Sequence, residues 1–104
     1  MSVLLEFSMF PLDQGESLSK HVSQLIKLIK DSGAEYRLTA MGTLIETEQL
    51  DTALALVARC NELLQQRGCS RIYSTIKLDI REGPMGRLQG KIQSIEGHIG
   101  SVDT

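Results

Sequence analysis

The sequence predicts an α+β fold: a four-stranded antiparallel sheet with two helices on one face and an extra C-terminal helix. Three observations predict it. Segments whose apolar residues recur at every second position alternate with segments where they recur at every third and fourth. Those segments run strand, helix, strand, strand, helix, strand, helix. A glycine stands where each of the two main helices should stop, at Gly33 and Gly68.

Over residues 3–10, Val3, Leu5, Phe7 and Met9 alternate with Leu4, Glu6, Ser8 and Phe10, giving a strand with one apolar and one mixed face. Pro11 ends it, and Asp13-Gln14-Gly15 reads as a turn. From Ser17 the period changes: Leu18, Val22, Leu25, Ile26 and Ile29 form a helical stripe that Gly33 closes. Tyr36, Leu38 and Ala40 alternate with Arg37, Thr39 and Met41 as a second strand. Gly42 permits a tight turn, and residues 43–47 make a short third strand. The second helix is expected from about Glu48 to Arg67, with Thr47 as its N-cap. Its main line runs through Leu50, Leu54, Val57 and Leu64, widened by Ala53, Leu56, Cys60 and Leu63. In residues 70–82, Ile72, Ser74, Ile76, Leu78 and Ile80 lie on one face, and Tyr73, Thr75, Lys77, Asp79 and Arg81 on the other. Gly83-Pro84-Met85-Gly86 breaks that strand, and Leu88, Ile92, Ile95 and Ile99 recur with helical spacing. Residues 1–100 are thus expected to form a single domain, and 101–104 a frayed tail.

The order β-α-β–β-α-β is the ferredoxin-like split arrangement. Right-handed crossovers place both main helices on one face and make the first and third strands the central pair. The helix-covered face then takes Leu5, Phe7, Ile45, Ile76 and Leu78. The opposite, uncovered face takes Glu6, Ser8, Phe10, Thr39, Met41, Leu44, Glu46, Thr75 and Lys77. Function is to be sought there, because apolar groups stand beside two carboxylates on adjacent strands, a combination that suits a ligand groove or a partner surface.

Composition narrows the classes. The 104 residues hold 11 Lys plus Arg against 13 Asp plus Glu, a net charge of −2, which gives no electrostatic footprint for nucleic acid or an anionic membrane. No apolar run approaches the ~20 residues of a membrane-spanning helix. The opening Met1-Ser2-Val3-Leu4-Leu5-Glu6 lacks a basic leader, so a cytoplasmic location is expected, with Cys60 and Cys69 as reduced thiols. Cys60 reads as a small core residue, and His21 and His98 as surface histidines without metal-ligand spacing; no metal is expected. Gly83, Gly86 and Gly90 beside Arg87 and Lys91 give a faint suggestion of an anion site. Their spacing fits no phosphate-loop motif and is read as turn and helix-start chemistry.

The segment Gly42-Thr43-Leu44-Ile45-Glu46-Thr47-Glu48 resembles the Gly-Thr-x-Ile/Val-Glu-Gly-Glu stretch of the small thiamine-binding protein family. Phe10-Pro11-Leu12, Ser32-Gly33-Ala34-Glu35-Tyr36 and Lys77-Leu78-Asp79-Ile80-Arg81 are similar to that family's aromatic-Pro-Leu, Ser-Gly-x-x-Tyr and Lys-x-Asp-x-Arg. The likeness runs from about residue 3 to residue 96. Thr47 stands where Gly is usual, and Ala34 where Leu is common. The resemblance implies a non-enzymatic binder of thiamine or its hydroxymethylpyrimidine part, requiring no cofactor and assembled as a homo-oligomer, a dimer or a homotetramer.

The residues offer compatible chemistry for such a ligand. Glu46 would accept from the pyrimidine amino group or, protonated, donate to a ring nitrogen. Thr43, Ser8 and Thr39 would add hydrogen bonds, Thr43 at a strand parity that can turn inward. Phe10 and Met41 would wall the flat ring, and Glu6 would favour the thiazolium cation or raise the Glu46 pKa. The competing reading is a structural or regulatory homo-oligomer without a small-molecule ligand. An acylphosphatase-like enzyme ranks third, because the arginine-bearing phosphate loop is missing between Pro11 and Ser19.

Overall fold

In a computed structural model that describes residues 1–15 and 18–104, the chain forms β1 (Ser2–Pro11), α1 (Leu18–Asp31), β2 (Glu35–Thr39), β3 (Gly42–Thr47), α2 (Leu50–Gln66), β4 (Ile72–Arg81) and α3 (Arg87–Ile99). The helix start expected at Ser17 lies outside the described residues. The strands pair antiparallel in the order β2-β3-β1-β4, so β1 and β3 are central and the expected ferredoxin-like architecture is the one observed. Leu5 stands opposite both Ile45 and Leu78, and Phe7 opposite Ile76, which puts all five on one face. Glu6 stands opposite Leu44 and Lys77, and Leu4 opposite Glu46 and Asp79, on the other.

The core lies between the first face and two helices. Val3, Leu5, Phe7, Met9 and Ile45 from the sheet meet Leu25 and Ile29 of α1 and Ala53, Leu56, Cys60 and Leu64 of α2. Full burial of each large side chain contributes roughly 1.5–3 kcal/mol. The α2 stripe is rotated from the expected line: Leu54 is 42% exposed while Ala53 and Leu56 are buried. At its C-terminal end Gly68 adopts φ 87°, its N–H bonds to Gln65 O and that of Cys69 to Leu64 O, so the glycine stop is a Schellman turn.

Two boundaries differ from the sequence expectation. Thr47 is not the N-cap of α2; that residue is Gln49, without a side-chain cap bond. The Thr47 hydroxyl instead donates to Gln49 O at 2.8 Å and tightens the strand-to-helix turn. The second strand stops at Thr39, and Ala40–Met41 form the hairpin turn. Thr39 Oγ1 accepts from the N–H groups of Met41 and Gly42 and donates to Gly42 O at 2.8 Å, so a threonine side chain closes this turn. Gly42 opens β3, where a Cβ would meet Phe7 O at 3.2 Å.

β4 is the outer strand beside β1. Its Ile76, Leu78 and Ile80 point to the helix side yet stay 41–46% exposed. α3 departs from the two-helix layer altogether. It starts on the opposite face, where Arg87 donates to Asp79 O, and it covers one end of the face expected to be bare. Leu88 is buried there, while Ile95 and Ile99 further along are 42% and 72% exposed.

The α2 assignment is testable by denaturant unfolding. Leu56→Ala should cost about 2–5 kcal/mol, as buried leucines do, and Leu54→Ala less than about 1 kcal/mol. Equal losses would contradict the stripe described.

Candidate functional site

The uncovered part of the open face is a strip along β1 and β4. Phe10 stands opposite Tyr73, Ser8 opposite Thr75 and Glu6 opposite Lys77. The Phe10 and Tyr73 rings lie 5.7 Å apart between centroids, tilted by 40°, within the favourable range for an aromatic pair. Glu6 and Lys77 approach to 3.9 Å as an exposed and therefore weak ion pair. On the other side of Glu6 stands Leu44, which is opposite Arg37. Of the expected site residues, the strip thus joins Glu6, Ser8 and Phe10. It adds Tyr73, which strand parity places on this face but only the β1–β4 register sets against Phe10.

Glu46 has a different setting. Its side chain lies on the open face but is only 1% exposed, under the start of α3. Ser2 Oγ donates to it at 2.5 Å, and the backbone N–H groups of Gly86, Arg87 and Leu88 donate to its oxygens at 3.0–3.4 Å. These are the orphan donors of a helix N-terminus, and α3 has no side-chain cap from Gly86, whose φ of 108° only glycine takes readily. Glu46 is therefore the cap of α3, supplied from β3. Burial alone would push its pKa up, but the bonds from Ser2, Arg87, Gly86 and Leu88 hold the carboxyl below the ordinary glutamate range.

The remaining expected residues lie elsewhere. Thr43 is buried, opposite Phe7 and Leu38 on the helix-covered face. Thr39 is engaged in its turn, and Met41 at the turn is 90% exposed. Both border a cavity of about 200 Å³ that reaches Val22 and Leu25 of α1. A groove of about 780 Å³ runs beside the start of α2, and a cavity of about 490 Å³ lies between β4 and the start of α3.

His21 is buried rather than a surface histidine. Its Nδ1 accepts from Arg67 Nε at 3.0 Å and lies 3.8 Å from Cys69 Sγ, tying α1 to the end of α2. Burial pushes the Cys60 thiol up to about 11 and raises that of Cys69, which disfavours the reactive thiolates. Among the described residues no group of three or more His, Cys, Asp and Glu is placed to hold a metal, and no helix is long and apolar enough to cross a membrane.

The cap has a pH signature. A carboxyl held below its unfolded pKa, roughly 4.3, contributes its full stabilisation above that value and loses it as pH falls through the folded value. Glu46→Gln should lower stability at pH 7 by about 2 kcal/mol. Between about pH 5 and pH 3 the wild-type chain should then lose stability more steeply than the variant, read by unfolding at each pH. Parallel curves would remove the cap from the pH dependence.

The family model described as "Thiamine-binding protein" matches residues 5–96. A UPF0045 protein of Methanothermobacter thermautotrophicus is 32% identical over 98 residues, covering 93% of this chain and 99% of its own. The crystal structure of a Methanocaldococcus jannaschii protein without assigned function is 29% identical with a TM-score of 0.76, over 90% of this chain and 95% of that one. A Thermotoga maritima protein described as a candidate for thiamine biosynthesis or salvage shares the fold at a TM-score of 0.78, with 17% identity over 91% of this chain and 99% of that one. With the family model spanning nearly the whole chain and the fold in agreement, the chain belongs to the thiamine-binding protein family.

Proposed function

We propose that the chain binds thiamine or its hydroxymethylpyrimidine part without turnover, on the uncovered strip of the open face. The observation that carries this reading is the Phe10–Tyr73 pair set along one strand from Glu6, in a chain of the thiamine-binding family. The likeness to the Thermotoga maritima protein supports it.

The chemistry follows from the strip. Two aromatic rings offer a flat apolar surface to an aminopyrimidine. Ser8 and Thr75, opposite each other, bring hydroxyls that both donate and accept, matching an amino group and ring nitrogens. Glu6, roughly 7 Å beyond Ser8 at a strand rise of ~3.3 Å per residue, brings a carboxylate that Lys77 holds only weakly, at 3.9 Å, to where a thiazolium cation would lie. Such groups recognise a ligand rather than transform it. Glu46 serves the strip by holding α3 in place, and Thr39 and Met41 lie at its hairpin end.

A second copy of the chain is the cover this reading requires. The outer edge of β4 has no strand beside it among the described residues, and Ile95 and Ile99 of α3 are exposed apolar groups. Both features support a dimer or tetramer, and they equally favour the second reading, a homo-oligomeric module without a ligand.

Isothermal titration separates the two. Thiamine should bind in the micromolar range, with Phe10→Ala weakening it by about tenfold, or ~1.4 kcal/mol, in a folded protein. Glu6→Gln should weaken thiamine more than hydroxymethylpyrimidine, which lacks the cation. No heat with either compound, on a preparation that sediments as an oligomer, would leave the ligand-free module standing. Sedimentation as a monomer at micromolar concentration would count against the shared cover.

A further inference from the structure

We propose that the cavity between β4 and the start of α3 takes the phosphate group of a phosphorylated ligand, a phosphate ester whose organic part lies on the neighbouring strip. The proposal rests on the reading of that strip as the thiamine or pyrimidine site and names the form of the ligand.

The cavity holds about 490 Å³, more than an inorganic anion needs, and opens beside Leu4, two residues along β1 from Glu6 on the same face. A ligand with its cation over Glu6 therefore has the cavity roughly 7 Å away along the strand. Leu4 and Met85 give it apolar wall, and Asp79, Arg81, Arg87 and Lys91 bring charge.

Those charges do not cancel. Arg87 is fully engaged: Nε donates to Ser2 Oγ at 2.9 Å, Nη2 to the carbonyls of Ser2 and Asp79 at 2.7 Å each, and Nη1 lies 3.0 Å from Asp79 Oδ2. Arg87 and Asp79 thus neutralise each other. The Glu46 charge is held by Ser2 and the backbone N–H groups at the start of α3. Arg81 and Lys91 remain, with no ion-pair partner among the described residues. Two unmatched cations fit a phosphate ester, whose charge is about −1.5 to −2 at pH 7. The carboxylate cap occupies the helix N-terminus, so the anion is recognised by side chains alone.

On the helix wall, Gly90 leaves the cavity without a side chain. Gly90 lies inside α3, where glycine is a poorer helix former than alanine. A Cβ there would meet nothing within 4 Å, so packing does not demand glycine. Bare backbone facing a cavity lets a ligand approach closely.

The test compares thiamine, thiamine monophosphate and inorganic pyrophosphate by titration, on the wild-type chain and on Arg81→Gln/Lys91→Gln. Both positions are exposed, so the thermal midpoint should not move. The monophosphate should bind wild type at least about tenfold more tightly than thiamine, and less so at high salt. In the double variant that advantage should vanish, with thiamine affinity unchanged. Equal affinity for the two compounds in wild type, or an advantage that survives the double substitution, would overturn the proposal. If neither thiamine compound binds but pyrophosphate does, and the double variant abolishes it, the cavity is an anion site and the reading of the strip fails. If pyrophosphate and the monophosphate both fail to bind, the cavity proposal fails, whatever thiamine does.

Discussion

A single buried carboxylate organises one end of this molecule. Glu46 reaches from β3 to four donors, the Ser2 hydroxyl of β1 and three backbone N–H groups at the start of α3. Burying a charge is costly unless it is fully hydrogen-bonded, and a helix N-terminus is costly unless its donors are met. Each problem solves the other here. The consequence is spatial: α3 is held against the end of the open face where Ser2, Leu4 and Asp79 lie. That divides the face into a covered end with a cationic cavity and an uncovered strip with an aromatic pair.

Most of the sheet was legible because strand parity has a period of exact alternation, and one good anchor assigns every residue to a face. Val3, Leu5, Phe7 and Met9 provided that anchor, and the observed register agrees with it. Boundaries were less legible. Thr39 closes its turn with a side chain, so the turn falls at Ala40–Met41 and Gly42 opens β3 as a strand residue. Thr47 has the residue type of a cap, but its hydroxyl satisfies the turn carbonyl of Gln49 instead of the helix donors. His21 has the residue type of a surface position, yet it precedes Leu25 and Ile29 at four-residue spacing, a signal that puts it on the buried stripe.

The role of Glu46 shows what parity leaves open. Its face was readable from the sequence; its partner was not, because α3 lies some forty residues away in the chain. One signal did point to it. The segment Gly83-Pro84-Met85-Gly86 leads into a helix with no Ser, Thr, Asp or Asn to cap it. A helix without its own cap needs an acceptor from elsewhere, and a carboxylate on the face where it docks is the simplest one.

The same logic qualifies what net charge can exclude. A total of −2 speaks to the long-range field, and at physiological salt that field is screened over about 8 Å. Recognition of a small ligand happens inside that distance, where only the local balance counts. Along β1 the open face passes from the Phe10–Tyr73 rings through the Ser8–Thr75 hydroxyls and the Glu6–Lys77 pair to Leu4 and the two unmatched cations, Arg81 and Lys91. This is an ordered series of apolar, neutral polar, ion-paired and basic surface within one sheet face. On the proposed reading, an extended molecule with a flat ring, a fixed cation and an anionic end would lay its ring on the aromatic pair, its cation beside Glu6 and its anion at the cavity.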